Sequence, residues 1–172
     1  MQEPSLTPAS YIVLGLVELS CEATPYDLKQ AATHSVGNFW TMQHAHFYTE
    51  PDRLAEAGLL SVKHETGGRR RKHYRITKKG SRALADWRSE PTEALAEMRN
   101  PALLKLFFGA DPGTLAEAQL KASREKLAEY EWMYEQSEGQ GTPGPRAALE
   151  AGIGHMREWV RFWSQIARRR RP

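Results

Sequence analysis

Residues 58–80, GLLSVKHETGGRRRKHYRITKKG, decide the fold of this chain. Polar and apolar residues alternate over Leu59–Thr66, as they do in a half-buried strand. Gly67-Gly68 supplies the positive backbone φ angles that a tight hairpin turn requires, and a cationic second strand follows. The segment therefore predicts a two-stranded β-hairpin, and Thr77 is the expected start of the helix that follows it.

Positive charge is concentrated on this hairpin. Eight lysines and arginines, and no acidic residue, lie between residues 69 and 82. Residues 1–88 hold 12 Lys/Arg and 9 Asp/Glu, whereas residues 89–167 hold 8 and 12. The front half of the chain is therefore predicted to face a polyanion, with the hairpin in contact with phosphate groups.

Helix-start signals precede the hairpin. Thr7 and Thr24 each stand before a proline, which is typical of an N-cap followed by the first helical residue. A third helix is expected from about Thr41, with a kink or a fresh start at Pro51. Three helices followed by a hairpin are the winged helix-turn-helix arrangement, in which the third helix enters the major groove of DNA. We expect a mainly α fold with a small β-hairpin, and a winged helix-turn-helix DNA-binding domain over residues 1–88.

Residues 89–172 are predicted to form a helical dimerisation and ligand-sensing domain. The expected helices cover about 92–99, a run begun by Pro101, a long segment capped by Thr114, and a last segment from Pro145 to about Arg169. The last helix carries apolar residues at alternating steps of four and three, which is typical of a coiled-coil seam; they are Leu149, Ile153, Met156, Val160, Trp163 and Ala167. Further apolar residues widen this seam, so we expect a homodimer, the commonest symmetric assembly.

The composition is that of an ordinary soluble protein. The chain has 172 residues, of which 40% are hydrophobic and 26% charged. No apolar run suggests a membrane span, and no secretory signal is expected. The single cysteine, Cys21, excludes a disulfide framework within one chain and fits a reducing compartment. We expect a cytoplasmic protein.

Several motifs resemble the PadR family of bacterial transcriptional regulators. They are LTPASYIVLGL at 6–16, YDLK at 26–29, FW at 39–40, HFY at 46–48, RLAEAGL at 53–59, GGRRRKHYRITKKG at 67–80 and LLKLFFG at 103–109. The last motif is similar to the start of the C-terminal region in longer family members. The resemblance covers residues 6–110; beyond these, only the helical layout agrees.

The resemblance implies a homodimeric repressor that binds a palindromic operator and leaves it when a small aromatic or apolar inducer binds. No cofactor is implied. Phosphate contacts are expected from the first two helices and the hairpin, and groove contacts from the third helix. The candidate DNA-binding residues are Tyr11, Tyr26, Lys29, Gln43, His44, His46, Tyr48, Arg53, Arg69, Arg70, Arg71, Lys72 and Tyr74.

Some of these residues have plainer interpretations. Tyr11 could belong to the core of its helix instead of contacting phosphate. His44 and His46 would point about 200° apart on a helix, which does not suit a shared metal ion, so no metal site is predicted. Trp40 is expected to pack at the base of the third helix. The tail Arg168–Arg171 could contact DNA flanks or fray.

The aromatic residues of the rear half have two interpretations. At helical spacing they usually form a core or a dimer interface, yet aromatic walls also favour pockets for flat apolar molecules. The candidate ligand-binding residues are Phe107, Phe108, Trp132, Trp159 and Trp163.

Two other function classes compete with a DNA-binding regulator. An enzyme is disfavoured, because no phosphate loop, catalytic carboxylate pair or activated nucleophile is recognisable. A winged helix can also bind RNA or protein without operator specificity. A protein-binding version would expose an apolar third helix, whereas Gln43, His44 and His46 are polar and accompany a cationic hairpin.

Overall fold

The computed structural model describes residues 5–66, 70–139 and 142–169. The chain packs as two units, Met1–Ala94 and Leu95–Pro172. Its elements are helices α1 (Pro8–Ser20), α2 (Pro25–Thr33) and α3 (His46–Glu56), strands β1 (Leu60–His64) and β2 (Lys72–Ile76), then helices α4 (Lys78–Ser89), α5 (Pro101–Phe107), α6 (Pro112–Gln136) and α7 (Pro143–Arg169). A short 3-10 turn at Val36–Asn38 follows α2. No helix in the described ranges is long and apolar enough to cross a membrane.

The predicted caps of the first two helices are confirmed. The Thr7 hydroxyl accepts from the backbone N–H of Ser10, and the Ser10 hydroxyl accepts from the backbone N–H of Thr7. Thr24 and Asp27 form the same reciprocal arrangement at the start of α2. Each pair satisfies backbone donors that the first helical turn leaves without partners.

The hairpin lies against the helices of the N-terminal unit. Its strands are antiparallel, with Leu60 opposite Ile76 and Val62 opposite Tyr74. The first strand is shorter than the predicted Leu59–Thr66, and the predicted turn at Gly67-Gly68 lies outside the described residues. The core beside the hairpin is drawn from α1, α2, α3, both strands and α4; its fully buried members include Val13, Leu14, Leu28, Leu54, Tyr74 and Leu84.

Helix α3 differs from its prediction. It begins at His46 and not near Thr41, and it continues through Pro51 to Glu56 as one helix, so of the two alternatives at Pro51 the fresh start is wrong. Ala45 occupies the N-cap position and has no side-chain hydrogen bond with which to mark the start. Alanine is not a capping residue, so the sequence does not mark the true start of α3, and the prediction placed the start at Thr41 instead.

The junction between the hairpin and α4 is tight. Thr77 caps α4 as predicted, accepting from the backbone N–H of Gly80, and its hydroxyl donates to the carbonyls of Gly58 and Leu59. A Cβ atom placed on Gly80 would stand 2.1 Å from the carbonyl oxygen of Leu59. Glycine is therefore required here by the close approach of two backbone segments.

The C-terminal unit is built on an antiparallel helix pair. Along α6 and α7, Tyr134 bonds to Glu150 and Arg157 pairs with Glu131, so the two helices run in opposite directions. Asp111 caps α6 in place of the predicted Thr114. The seam residues of α7 that are buried are Ile153 and Trp163, with Ile166 beside them.

The predicted helix at 92–99 is wrong, because residues 91–100 form no helix. Leu95 and Met98 are exposed, so no packing offsets the cost of nucleating such a short helix. Helix α5 starts at Pro101 as predicted, with the Asn100 side chain accepting from two backbone N–H groups.

Replacing Gly80 with alanine should destabilise the protein. The added methyl group meets backbone that cannot turn aside, so we expect the free energy of unfolding to fall by about 1–3 kcal/mol. Chemical denaturation measures this change. The matched control is Gly15→Ala in α1, where the added Cβ would meet no atom within 4 Å beyond its own stretch of helix, and the helix should gain up to about 1 kcal/mol. Equal effects of the two substitutions would contradict the close approach at Gly80.

Candidate nucleic-acid interface

The residues predicted to read the groove lie at the start of α3. His46 and Tyr48 belong to its first turn and are exposed. Gln43 and His44 are exposed too, but they precede the helix in a turn that is closed by the His46 N–H and the Gln43 carbonyl at 3.0 Å. The four side chains are thus clustered at one helix end, although only two of them are helical.

Phosphate contacts were predicted on the first two helices. Tyr26 is 60% exposed at the start of α2, and Lys29 is half-buried one turn later on the same face. Tyr11 is half-buried and stacks on Trp87 of α4, with ring centroids 4.6 Å apart. Tyr11 therefore packs on the domain, as its plainer interpretation expects, while its contact with phosphate stays a prediction.

The half-buried side chain of Arg53 is bound by other residues of the N-terminal unit. Its guanidinium donates to both carboxylate oxygens of Glu50, at 3.0 and 2.6 Å, and to the hydroxyl of Ser10 at 2.9 Å. Burial is the largest single influence on the Glu50 pKa and raises it, but the hydrogen bonds from Arg53 and Ser10, together with the Arg53 charge, outweigh burial and hold this pKa below its ordinary value. Arg53 therefore joins α3 to α1, and most of its donors are occupied before any DNA arrives.

The tip of the hairpin carries the exposed cations. Arg70 and Arg71 are exposed, and neither forms an ion pair within the described part of the chain. Arg70 has a φ of 47°, in the left-handed region that a turn requires. Arg69 was predicted to act with them and lies outside the described residues. The two described arginines are free to meet a polyanion.

Two predicted contacts on β2 have internal partners. The Lys72 ammonium donates to both carboxylate oxygens of Asp52 at 2.7 Å, and the Tyr74 hydroxyl donates to Asp52 at 2.7 Å. Tyr74 is fully buried, and burial together with Asp52 raises its pKa well above the ordinary value. The Tyr74 side chain cannot reach DNA in this conformation, so we remove it from the set of proposed contacts. Lys72 remains accessible but is paired.

Acidic residues also bind the next basic side chains of the hairpin. His73 lies between two carboxylates, with Nδ1 3.1 Å from Glu22 and Nε2 3.0 Å from Glu65. Glu22 also pairs with Arg75, whose hydrogen bond holds the Glu22 pKa below its ordinary value. Sequence reasoning missed Asp52, Glu22 and Glu65. The only signal for these partners in the sequence was that residues 1–88 hold nearly as many acidic residues as basic ones, 9 Asp/Glu against 12 Lys/Arg.

Trp40 was expected to pack at the base of α3. It is 48% exposed and lines a shallow groove with Ile12, Met42 and Phe47. Its neighbour Phe39 is 68% exposed. The expected packing is therefore partial.

The five candidate ligand residues do not form one cluster of rings in a single copy of the chain. Phe107 and Phe108 are exposed and meet edge to face, with ring centroids 5.2 Å apart. On α7, Trp159 stacks on Trp163 with ring centroids 6.2 Å apart. Trp132 lies on α6 and is 62% exposed. No ring contact joins the two pairs among the described residues. A single copy of the C-terminal unit thus presents two aromatic pairs and an isolated tryptophan.

Trp163 is the most constrained of these aromatic residues. Its side chain is fully buried among residues of α5, α6 and α7, including Ala102 and Ala116. Its indole Nε1 has no hydrogen-bond partner within the described ranges, whereas the Nε1 of Trp159 donates to His155 at 2.6 Å. Buried donors are nearly always paired, so the Trp163 indole marks a point where an acceptor is expected.

Comparison with known families divides the chain in two. Residues 13–86 match the transcriptional regulator PadR-like family, and residues 98–169 match the virulence activator alpha C-terminal family. The negative transcriptional regulator PadR of Bacillus subtilis is 24% identical over 140 residues, which cover 77% of this chain and 76% of that protein.

Solved structures share the fold over nearly the whole chain. Bacillus subtilis PadR in complex with operator DNA superposes with a TM-score of 0.80 at 23% identity, covering 92% of this chain and 96% of that one. The same protein in complex with p-coumaric acid gives a TM-score of 0.74 at 21% identity, covering 95% and 97%. The mainly helical winged-helix fold with added C-terminal helices is thereby confirmed.

The Glu50–Arg53 pair should make stability depend on pH. The pKa of Glu50 is lower in the folded protein than in the unfolded chain, where a glutamate titrates near about 4.3. Its contribution is therefore complete above this value and is lost as the pH falls through the folded pKa. We expect Glu50→Gln to lower stability by about 1–3 kcal/mol at pH 7, because Arg53 loses a charged partner.

The difference between wild type and Glu50→Gln should shrink from pH 5 towards pH 3. Thermal melts over this range measure it. Glu56→Gln, at an exposed position of the same helix, is the control and should change little at any pH. If the stability difference between wild type and Glu50→Gln stayed constant from pH 5 to pH 3, the ionisation of Glu50 would contribute nothing to stability.

Proposed function

We propose that this chain, whose residues 13–86 match the transcriptional regulator PadR-like family, is a homodimeric repressor that binds a palindromic operator and is released by a small aromatic or apolar inducer. One observation carries the DNA-binding part of this proposal. Arg70 and Arg71 are exposed and unpaired among the described residues, on a hairpin that is bonded to α3 through Lys72 and Asp52. The cationic hairpin and the polar start of α3 thus belong to one compact unit.

The proposed contacts divide by role. His46 and Tyr48, with Gln43 and His44 ahead of them, would meet base edges in the major groove. Tyr11, Tyr26, Lys29 and the arginines of the hairpin tip would meet phosphates, which position the protein without reading sequence. Arg53 would act through α3, since most of its donors are occupied, chiefly by Glu50 and Ser10.

A second copy of the chain is proposed to cover the exposed apolar residues of the C-terminal unit. Leu95, Leu104, Phe107 and Phe108 are between 61% and 95% exposed in one copy. An exposed apolar cluster of this kind usually marks an interaction surface. A symmetric dimer would bury the cluster and present two copies of α3 to two half-sites, which fixes the spacing of the operator.

The inducer is proposed to bind among the aromatic residues of the C-terminal unit. The candidates remain Phe107, Phe108, Trp132, Trp159 and Trp163, and the p-coumaric acid complex of the Bacillus subtilis relative supports this ligand class. A ligand that fits one dimer geometry better would shift the dimer towards it. Since both half-sites must be met together, a small rotation would cost contacts at one of them.

A regulator of this type acts in the bacterial cytoplasm, which we propose as its location. The single cysteine is consistent with a reducing compartment. We propose no catalytic role for any residue.

Binding to the DNA upstream of its own gene tests the proposal. Fluorescence anisotropy over a salt series, with scrambled DNA as competitor, should give tight binding that the competitor does not displace. The logarithm of affinity should fall with the logarithm of salt at about 0.9 per neutralised phosphate. Equal affinity for both DNAs would reject operator recognition at that site. The same assay then screens phenolic acids as inducers, and sedimentation measures the dimer.

Replacing Arg70 and Arg71 together with alanine should weaken binding to every DNA sequence. Two lost phosphate contacts should reduce the salt slope by about 1.8, because each contributes about 0.9. The control is the double substitution Lys121→Ala with Arg124→Ala, which removes the same charge from exposed positions of α6. An unchanged slope in the hairpin variant would remove these arginines from the interface.

A further inference from the structure

Asp52 is bonded to two residues of the hairpin. Both of its carboxylate oxygens accept from the Lys72 ammonium at 2.7 Å, and one also accepts from the Tyr74 hydroxyl at 2.7 Å. The Lys72 hydrogen bond, more than any other interaction, holds the Asp52 pKa below its ordinary value, so the group is an anion at neutral pH. An acid on α3 is thereby connected to β2, twenty residues later in the chain.

Asp52 also lies on the face of α3 that is proposed to meet DNA. It follows Tyr48 by four residues, so the two side chains are neighbours on one helix face. Tyr48 is 50% exposed. A carboxylate on this face repels phosphate, and one that binds a lysine cancels the attraction of that lysine as well. The Asp52–Lys72 pair is therefore close to neutral where a free Lys72 would attract DNA.

The pair remains accessible to solvent and contributes little to folding. The side chains of Lys72 and Asp52 are 41% and 42% exposed. Ion pairs at such exposure contribute about 0–1 kcal/mol to stability. Lys72 could reach a nearby phosphate if it were released from Asp52. We therefore expect the pair to affect DNA binding more than folding stability.

We propose that Asp52 is a specificity-determining residue, which withholds Lys72 from phosphate and ties the hairpin to α3. This inference rests on the proposed DNA-binding function. Sequence-independent binding depends on phosphate attraction alone and tolerates any register. Operator binding needs α3 in the groove and the hairpin on the backbone at a fixed separation. Asp52 weakens sequence-independent binding, and it supports the geometry that operator binding needs.

The conservative variant Asp52→Asn tests this role. Its amide oxygen can still accept from Tyr74, while its charge is gone and Lys72 is released. On scrambled DNA we expect a salt slope steeper by about 0.9 and an affinity about five- to tenfold higher at 0.1 M salt. Affinity for the operator should rise less, so the ratio of operator to scrambled affinity should fall. Thermal melts establish that the variant is folded.

The double variant Asp52→Asn with Lys72→Ala assigns the gain to Lys72. It is neutral at this pair, as the wild type is, so its salt slope should return to the wild-type value. A double variant with a slope shallower than wild type would show that Lys72 already contacts phosphate and would overturn the proposal. Glu117→Gln makes the same charge change at an exposed position of α6 and should leave the slope unchanged.

The role of Asp52 would likewise be overturned if Asp52→Asn left the salt slope on scrambled DNA unchanged. It would also be overturned if the wild type prefers its operator and Asp52→Asn leaves the ratio of operator to scrambled affinity unchanged. Failure of the proposed function has a different signature. A wild type that binds operator and scrambled DNA equally would reject operator recognition, while the slopes on scrambled DNA would still decide whether Asp52 restrains Lys72. A wild type that binds no DNA at any salt would overturn both.

Discussion

The buried residue Tyr74 connects three parts of the N-terminal unit. Its backbone pairs with Val62 across the hairpin and exchanges two hydrogen bonds with Ala23, at 3.1 and 2.9 Å, in the turn between α1 and α2. Its hydroxyl donates to Asp52 on α3. Because the ring is fully buried, the hydroxyl needs this acceptor, and the hairpin cannot move from α3 without breaking the bond. The orientation of the hairpin against α3 depends on this residue.

The same contacts divide the basic residues of the hairpin into two groups. Lys72, His73 and Arg75, all on β2, are paired with acids of α3, of the α1–α2 turn and of the hairpin itself. Arg70 and Arg71, nearer the tip, have no such partners among the described residues. The paired group holds the hairpin in place, and the unpaired group gives it a positive outer end. A count of positive charges in the sequence does not separate these roles.

The C-terminal unit shows a similar division among its aromatic residues. Trp163 is fully buried between helices, whereas Phe107, Phe108 and Trp132 lie on the surface of one copy. Apolar side chains of this size stay exposed at a cost of about 1.5–3 kcal/mol each relative to burial. This cost is the physical basis for expecting a second copy or a ligand against them. The Trp163 indole N–H, which has no acceptor among the described residues, is a buried hydrogen-bond donor in the same unit.

Local signals in the sequence were enough to predict the order of the main elements. Thr7, Thr24 and Thr77 mark helix starts because each cap bonds to a backbone group three residues away. Alternation and the paired glycines likewise predicted the hairpin, and prolines predicted α5 and approximately α7. Where the local signal was missing, as at Ala45 before α3, or where nothing packs on a segment, as at residues 91–100, the prediction failed.

The roles of the site residues were decided by tertiary structure. Arg53 finds Ser10 across 43 positions, Lys72 finds Asp52 across 20, and Arg75 finds Glu22 across 53. The sequence by itself determined that cations and aromatic residues would be present and on which elements. Only the fold decided which of them are neutralised or buried and which remain free, because charge pairing and burial depend on neighbours that the order of the chain does not reveal.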